Sequence, residues 1–274
     1  MQAMVSPYDE LPPTRRRQSD VAARVFTAGS RVTDSSDARA SHAVSFVEVE
    51  TIAAVEDVIP RERSEQLSRL LNISVALVAT LLLSPLLAVL SLLVKLTSPG
   101  PVFYSQVRVG VDRRFQRTST YDRRGYDHGG KPFMMFKFRT MRADAEKDGR
   151  AVWAVKQDPR VTAIGNFLRR TRLDELPQLL NVIRGDMNIV GPRPERPTIF
   201  ADLRRSIPEY ALRQRVKPGI TGWAQINLAY DACMEDVRNK VQLDIEYIKR
   251  QGFWHDLRIM AMTIPVMIFR KGSR

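Results

Sequence analysis

The sequence predicts an α+β fold: a small mixed cytosolic domain of short strands and several helices, attached to one membrane-embedded segment and to interfacial amphipathic helices. Three observations predict it. Residues 70–94 form a run of 25 residues without a charge, the length of a membrane helix and more than a soluble core asks of one element. Two alternating apolar segments and several longer helical patterns come after it, with no internal repeat, a mixture that suits α+β packing. Lys and Arg outnumber Asp and Glu by 43 to 30, and the excess is uneven. Residues 1–66 hold eight basic and eleven acidic side chains, so the overall +13 divides into −3 there and +16 in the rest. A basic body beside a membrane segment points to anionic lipid, a phosphorylated substrate, or both.

Taken in order, residues 1–62 read as a disordered cytosolic tail. Proline, arginine and small polar residues mix there without period, and little could form a core. No charged start followed by an apolar run marks a signal peptide. Residues 42–59 are more apolar, and their pattern leaves strand and helix both open. Residues 63–96 are the membrane segment. A straight helix over the uncharged run would rise about 37 Å, enough to cross a bilayer. Ser84-Pro85 sits just past its middle, where proline removes a donor and crowds the preceding turn. Arg61, Arg63 and Arg69 precede the run, and Lys95, Arg108, Arg113 and Arg114 come after it, so the flanks carry no bias between sides. A helix that enters, breaks at Ser84-Pro85 and returns satisfies both observations; a kinked spanning helix is the alternative.

Residues 97–274 read as one compact domain. Residues 102–109 alternate and form a strand, and residues 131–142 (KPFMMFKFRTMR) form a second, joined through a polar hairpin tip at 115–130. Helical patterns cover 160–183, 198–213 and 233–250, and a last apolar helix covers 253–269. One cysteine in 274 residues excludes an internal disulfide and a multi-thiolate zinc site. Cys233 reads as a small buried hydrophobe on a helix.

Familiar catalytic signatures are missing. There is no G-x-G-x-x-G, Walker loop, G-x-S-x-G or H-E-x-x-H. With His42, His128 and His255 as the three histidines, a Ser-His-Asp triad is not expected. The segment TRLDELPQLLNV at 171–182 is more informative. Thr171 is expected to cap a helix whose first turn holds Asp174 and Glu175, with Leu173, Leu176 and Leu180 packing inward and Gln178 and Asn181 beside Asp174. A helix start favours the anionic form by about 0.3–1 kcal/mol. That suits an Asp that attacks phosphorus or a Glu that holds Mg²⁺, although first turns also carry acids for stability alone. Cations accompany the pair. Lys137 and Arg139 are two apart on a strand and so share a face. Arg193 stands between Pro192 and Pro194, a stiff mount for a guanidinium fork. Arg215 and Lys217 precede a Pro-Gly turn. Joining two phosphorylated substrates needs such a supply of cations and a metal.

These segments, LVKLTSPGPVFYSQVRVG, FKFRTMR, DPRVTAIGNFLRRTRLDELPQLLNVIRGDM, VGPRPERP and VKPGITGWAQIN, resemble the bacterial sugar transferase family, the monotopic phosphoglycosyl transferases that prime exopolysaccharide, capsule and O-antigen synthesis. The resemblance runs from about residue 63 to the end, with the motifs in the family's order. It implies transfer of a sugar-1-phosphate from a UDP-sugar to undecaprenyl phosphate with release of UMP, at the bacterial inner membrane with the catalytic domain on the cytoplasmic face. It implies Asp174 as nucleophile and Glu175 as the Mg²⁺ ligand, and Lys137, Arg139, Arg193, Arg215 and Lys217 are the cations expected to meet substrate phosphate. It also implies a re-entrant helix broken at Ser84-Pro85, with Pro192 and Pro194 as structural members of the Pro-Arg-Pro motif. Asn188 stands where the family carries serine, the 115–130 insertion is long, and the first ~60 residues match nothing in the family. Galactose or glucose is the implied sugar, with N-acetylated donors open. A membrane-tethered protein binding anionic lipid or nucleic acid without chemistry is the alternative; it explains the charge but not the Asp174-Glu175 and Arg193 constellation, so no nucleic-acid partner is expected. The hairpin tip offers a place for a homo-oligomer contact.

Overall fold

The structure, a computed structural model, describes residues 58–113, 129–142, 144–145, 158–228 and 233–268. The expected tail up to residue 57 and most of the hairpin tip lie outside the described residues. Residues 58–62, counted with the tail in the sequence reading, belong to the packed structure: Val58 is buried, and Arg61 N–H donates to Ile248 O at 3.1 Å.

Helix α1, Glu65–Thr97, is capped by the Ser64 hydroxyl, which accepts from Leu67 N–H. At Ser84-Pro85, where two helices were expected, the helical backbone is continuous, with Pro85 inside α1 as the point at which it can bend. The reason is local. Proline cannot donate to the carbonyl four residues back, that of Leu81, but the Ser84 hydroxyl donates to that same oxygen at 2.8 Å. A hydroxyl of this kind re-satisfies the backbone and lets a proline sit inside an apolar helix.

Both halves of α1 pack on the same body. In the first half, Arg69 donates to Val182 O and Ile183 O, both at 2.5 Å, capping carbonyls in the last turn of helix α3, Gln178–Arg184. Asn72, buried, accepts from Ile189 N–H at 2.6 Å. In the second half, Leu90 and Val94 join Phe138 and Leu168 in a small apolar cluster. Between them Leu81 and Leu82 are 75% and 73% exposed.

Strands β1, Phe103–Val109, and β2, Pro132–Phe138, pair antiparallel as the alternation predicts, with Phe103 opposite Phe138 and Val109 opposite Pro132. Helix α2, Ala163–Thr171, comes next. The single helical pattern over 160–183 is corrected to two helices with a turn between them. Arg172 is left-handed at φ 57°, residues Leu173–Glu175 make one 3-10 turn, and α3 starts only at Gln178. Pro177 has no N–H, so the Leu173 carbonyl is taken by Leu176 N–H at 3.3 Å, one residue tighter than an α-helix allows.

A second, parallel pair was not legible in the sequence: β3, Asn188–Val190, lies beside β4, Gly219–Thr221. Glycine is required there, because a Cβ on Gly219 would stand 2.1 Å from the Gly191 nitrogen. Helix α4, Pro197–Ser206, ends before Pro208 and gives way to a 3-10 helix, Pro208–Arg215, where one helix over 198–213 was expected. Helix α5, Trp223–Asn227, then leads to α6, Met234–Arg250, and α7, Phe253–Ile268, close to the expected bounds. Cys233 is exposed and precedes α6 as its N-cap, not a buried residue within it. The main core gathers Ala76 of α1 with Phe133, Met135, Val182, Val190, Phe200, Val241 and Ile248. On α7, Phe253, Trp254, Leu257 and Ile264 are exposed.

Candidate active site

Asp174 and Glu175 fall in the 3-10 turn between α2 and α3, not in the first turn of a helix. Thr171 is the last residue of α2, and its hydroxyl donates back to Phe167 O at 2.8 Å instead of capping the 3-10 turn. The turn is fixed from below by α3. Asn181, fully buried, accepts from Phe136 N–H at 3.0 Å and donates to Met134 O at 2.6 Å, which ties α3 to β2. Leu179 is the buried leucine of this segment, whereas Leu180, expected inward, is half exposed.

The two carboxylates have opposite surroundings. Both are buried. Glu175 receives three charge-assisted hydrogen bonds: Lys137 Nζ to Oε1 at 2.7 Å, Arg193 Nη2 to Oε1 at 2.5 Å, and Arg193 Nη1 to Oε2 at 3.1 Å. Burial alone would raise its pKa, but Arg193 and Lys137 outweigh it and hold the carboxyl well below the usual range. Asp174 makes no hydrogen bond or ion pair among the described residues. Burial raises its pKa, Lys137 opposes that, and the Glu175 charge adds to the rise. Lys137 is lowered by burial against the pull of Glu175, while Arg193 is raised chiefly by the Glu175 charge.

Expected members of the site part company here. Lys137 and Arg193 meet the dyad. Arg139 does not: β2 ends at Phe138, so the strand alternation stops, and Arg139 Nη2 donates to Ser98 O and Oγ at 2.7 Å, at the end of α1. Arg215 donates to the Val58 carbonyl. Lys217 lies among the cations Arg69, Arg113 and Arg63, and burial with their charges lowers its pKa. His255 stacks on Tyr247 and leans on Trp223, while its neighbour Asp256 takes Arg63 at 3.1 Å and the Tyr247 hydroxyl at 2.8 Å, so no triad forms. Asp256 is raised by burial against the Arg63 charge.

Glu175, expected as the Mg²⁺ ligand, is engaged by cations in this structure, so a metal role would require one of those contacts to give way. Both of its oxygens carry cationic donors, and no group of three acidic, histidine or cysteine ligands occurs among the described residues. Asp174 is the carboxylate with unbonded oxygens. The residues therefore fit Mg²⁺ only as an ion held mainly by substrate phosphate with one protein carboxylate, a common arrangement for that ion. Beside the dyad opens an apolar cleft of about 120 Å³, bordered by Arg172 and Glu175 and walled by Leu176, Leu179, Ile220 and Ile226.

Sequence reading missed the frame that carries Arg193. Each carbonyl from 192 to 195 has a donor: Gly219 N–H at 3.0 Å, Arg213 Nη2 at 3.0 Å, Arg108 Nη1 at 3.0 Å and Val109 N–H at 2.9 Å, in order, and Pro192 and Pro194 are themselves buried. Arg213 is in turn held by Asp244 at 2.6 Å. Arg213 lay inside a helical pattern, and nothing local marks it as buried.

The sequence model of the family described as Bacterial sugar transferase matches residues 63–270. The UDP-glucose:undecaprenyl-phosphate glucose-1-phosphate transferase of Escherichia coli is 44% identical over 200 residues, 72% of this chain but 39% of that protein. An N-acetylgalactosaminephosphotransferase from Aeromonas hydrophila, acting on undecaprenyl phosphate by its name, is 39% identical over 76% of this chain and 45% of its own length. The chain thus spans less than half of these two relatives. It covers 73% of the glucose-1-phosphate transferase of Caulobacter vibrioides, at 38% identity over 77% of this chain. With the match to the family running from before α1 through α7, the chain belongs to the bacterial sugar transferase family.

Proposed function

We propose that the protein transfers a sugar-1-phosphate from a UDP-sugar to undecaprenyl phosphate at the bacterial inner membrane, releasing UMP. The observation that carries this reading is the contrast within the dyad: Asp174 buried without a hydrogen bond among the described residues, next to a Glu175 clamped by Lys137 and Arg193. An unbonded carboxylate keeps its lone pairs for attack, and fixed cations beside it suit a diphosphate. Asp174 Oδ forms a bond to the sugar-bearing phosphorus, the bond to the bridging oxygen breaks, and UMP leaves with the electron pair. A phosphate oxygen of the acceptor then attacks that phosphorus and releases the Asp174 carboxylate. When bound, Mg²⁺ neutralises charge on the diphosphate and the departing UMP. Arg193, 31% exposed, is the cation that faces incoming substrate, and Lys137 keeps positive charge at the dyad.

The membrane reading is that α1 dips into one leaflet and returns. One body touches it both at Arg69–Asn72 and at Leu90–Val94, with the apolar apex at Leu81 and Leu82 left bare. A spanning helix would put one of those contacts on the far side of the bilayer. The bare apolar side chains of α7 fit an interfacial helix on the same side.

The test is UMP release by purified protein with undecaprenyl phosphate, Mg²⁺ and a panel including UDP-glucose, UDP-galactose and UDP-N-acetylgalactosamine. The reading predicts release with at least one donor, dependent on acceptor for sustained turnover. No release with any donor overturns it.

A further inference from the structure

The Arg213–Asp244 pair is an expensive thing to bury. Both side chains are essentially inaccessible, at 0% and 2% exposure. Arg213 Nε donates to Asp244 Oδ2 at 2.6 Å, its guanidinium lies 4.7 Å over the Tyr210 ring, and its Nη1 has no hydrogen-bond partner among the described residues. A buried ion pair with an unmet donor is a poor stabiliser, since apolar residues of matching volume often serve the fold as well or better. What an apolar pair could not do is the remaining contact, Nη2 to the carbonyl of Arg193 at 3.0 Å.

We propose that Arg213, braced by Asp244, is a positioning residue that fixes the backbone of Arg193 so that its guanidinium fork meets Glu175 and the substrate diphosphate. The geometry explains the need. Arg193 sits between two prolines, neither of which has an N–H, so the segment has lost half of the amide donors a strand would use. It is held instead through its carbonyls, and the one on Arg193 itself depends on a side chain alone. Lys at position 213 could reach Asp244 or the carbonyl as a single point charge, but it lacks the planar fork that bridges both. Asp244 comes from α6, so Arg193 is braced through Arg213 by a helix about fifty residues further along the chain.

This inference rests on the transferase reading for its catalytic half, and the experiment separates the two. The full chain in nanodiscs is compared with Arg213→Met/Asp244→Leu and with Arg213→Lys. Thermal midpoint, hydrogen–deuterium exchange of peptides covering residues 190–197, and UMP release are measured. The Met/Leu pair is expected to keep its thermal midpoint within a few degrees, while exchange in 190–197 quickens about tenfold relative to peptides elsewhere. Turnover should fall by up to about 100-fold, the scale of a ~1 Å misplacement. Arg213→Lys should loosen the same peptides despite its charge. Introduced into Arg193→Lys, the Met/Leu pair should cost little more, since both changes act through one fork. Wild-type exchange in 190–197, or full turnover with a loosened loop, overturns the proposal, as does an undiminished further loss in the Arg193→Lys background. If the unaltered protein releases no UMP, the transferase reading falls, and the exchange result by itself then confirms or refutes that Arg213 orders the loop.

Discussion

Glu175→Gln should damage the fold as much as the chemistry. In the structure this carboxylate is the shared counter-ion of two cations, with side-chain exposures of 10% for Glu175, 16% for Lys137 and 31% for Arg193. An amide can accept from one of them, but its NH₂ then faces a donor, and two positive charges remain beside each other with no anion between. Removing one partner of a buried pair costs about 3–5 kcal/mol. The lower end applies because Arg193 keeps access to water, so about 3 kcal/mol is expected. For a domain of this size, ~2–4 °C per kcal/mol gives a fall of about 6–12 °C in thermal midpoint. The assay is a melt of purified protein in nanodiscs at pH 7. Linkage fixes the sign with pH. The Glu175 pKa is depressed in the folded state, so its contribution is present above the unfolded value of about 4.3 and is lost as pH falls through the folded one. The gap between wild type and Glu175→Gln should therefore close in acid. An unchanged midpoint at pH 7 would refute the counter-ion role of Glu175.

Asp174→Asn should behave in the opposite way: UMP release falls to background and no phosphosugar adduct forms, yet the midpoint at pH 7 equals or exceeds that of wild type. Its pKa is raised on folding, so ionisation penalises the native state above the unfolded value of about 3.9, and any gain from the amide should vanish below that pH; a loss of several degrees at pH 7 would sink this account. For the same reason the acid limb of turnover should lie above the value of a free aspartate, and an acid limb at or below it would count against Asp174 as the attacking group. Arg193→Lys keeps charge but breaks the two-oxygen grip on Glu175, so it should lower turnover far more than Arg205→Lys, whose side chain is 68% exposed; equal effects would argue against the fork. Cysteine labels at positions 60 and 100 should react from the same side of the membrane, and Pro85→Leu, by removing the weak point of α1, should shift molecules toward labelling on opposite sides.

Local patterns in the sequence carried local facts. Alternation placed β1 and β2 to within a few residues, and apolar period placed α6 and α7. The adjacency of Asp174 and Glu175 is local too, and so is the stiffness of Pro-Arg-Pro. What stayed hidden depends on partners far along the chain. Glu175 meets Lys137 across 38 residues and Arg213 meets Asp244 across 31, distances over which no periodicity speaks. Arg139 shows a second limit. Sharing a face with Lys137 requires the strand to continue, and it ends one residue too soon. Thr171 shows a third: its side chain can cap a helix or bond back into one, and Pro177 decides the matter from six positions on.

Asn72 has consequences for how the molecule is made. Its side-chain oxygen sits in the apolar stretch of α1 and is answered by the amide of Ile189, 117 residues later. If α1 enters the bilayer as proposed, it does so during synthesis long before that partner exists, and so do Leu90 and Val94 before Leu168. A chain in that state would hold an unsatisfied side-chain carbonyl, since only the Asn72 NH₂ is answered within the helix, by Ser68 O, a cost that favours shallow residence at the headgroups until the rest arrives. The apolar helix is thus not an appendage to a finished domain but one wall of its core. Cutting it away to obtain a soluble fragment would remove Ala76, Leu90 and Val94 from their clusters and leave the amide of Ile189 bare.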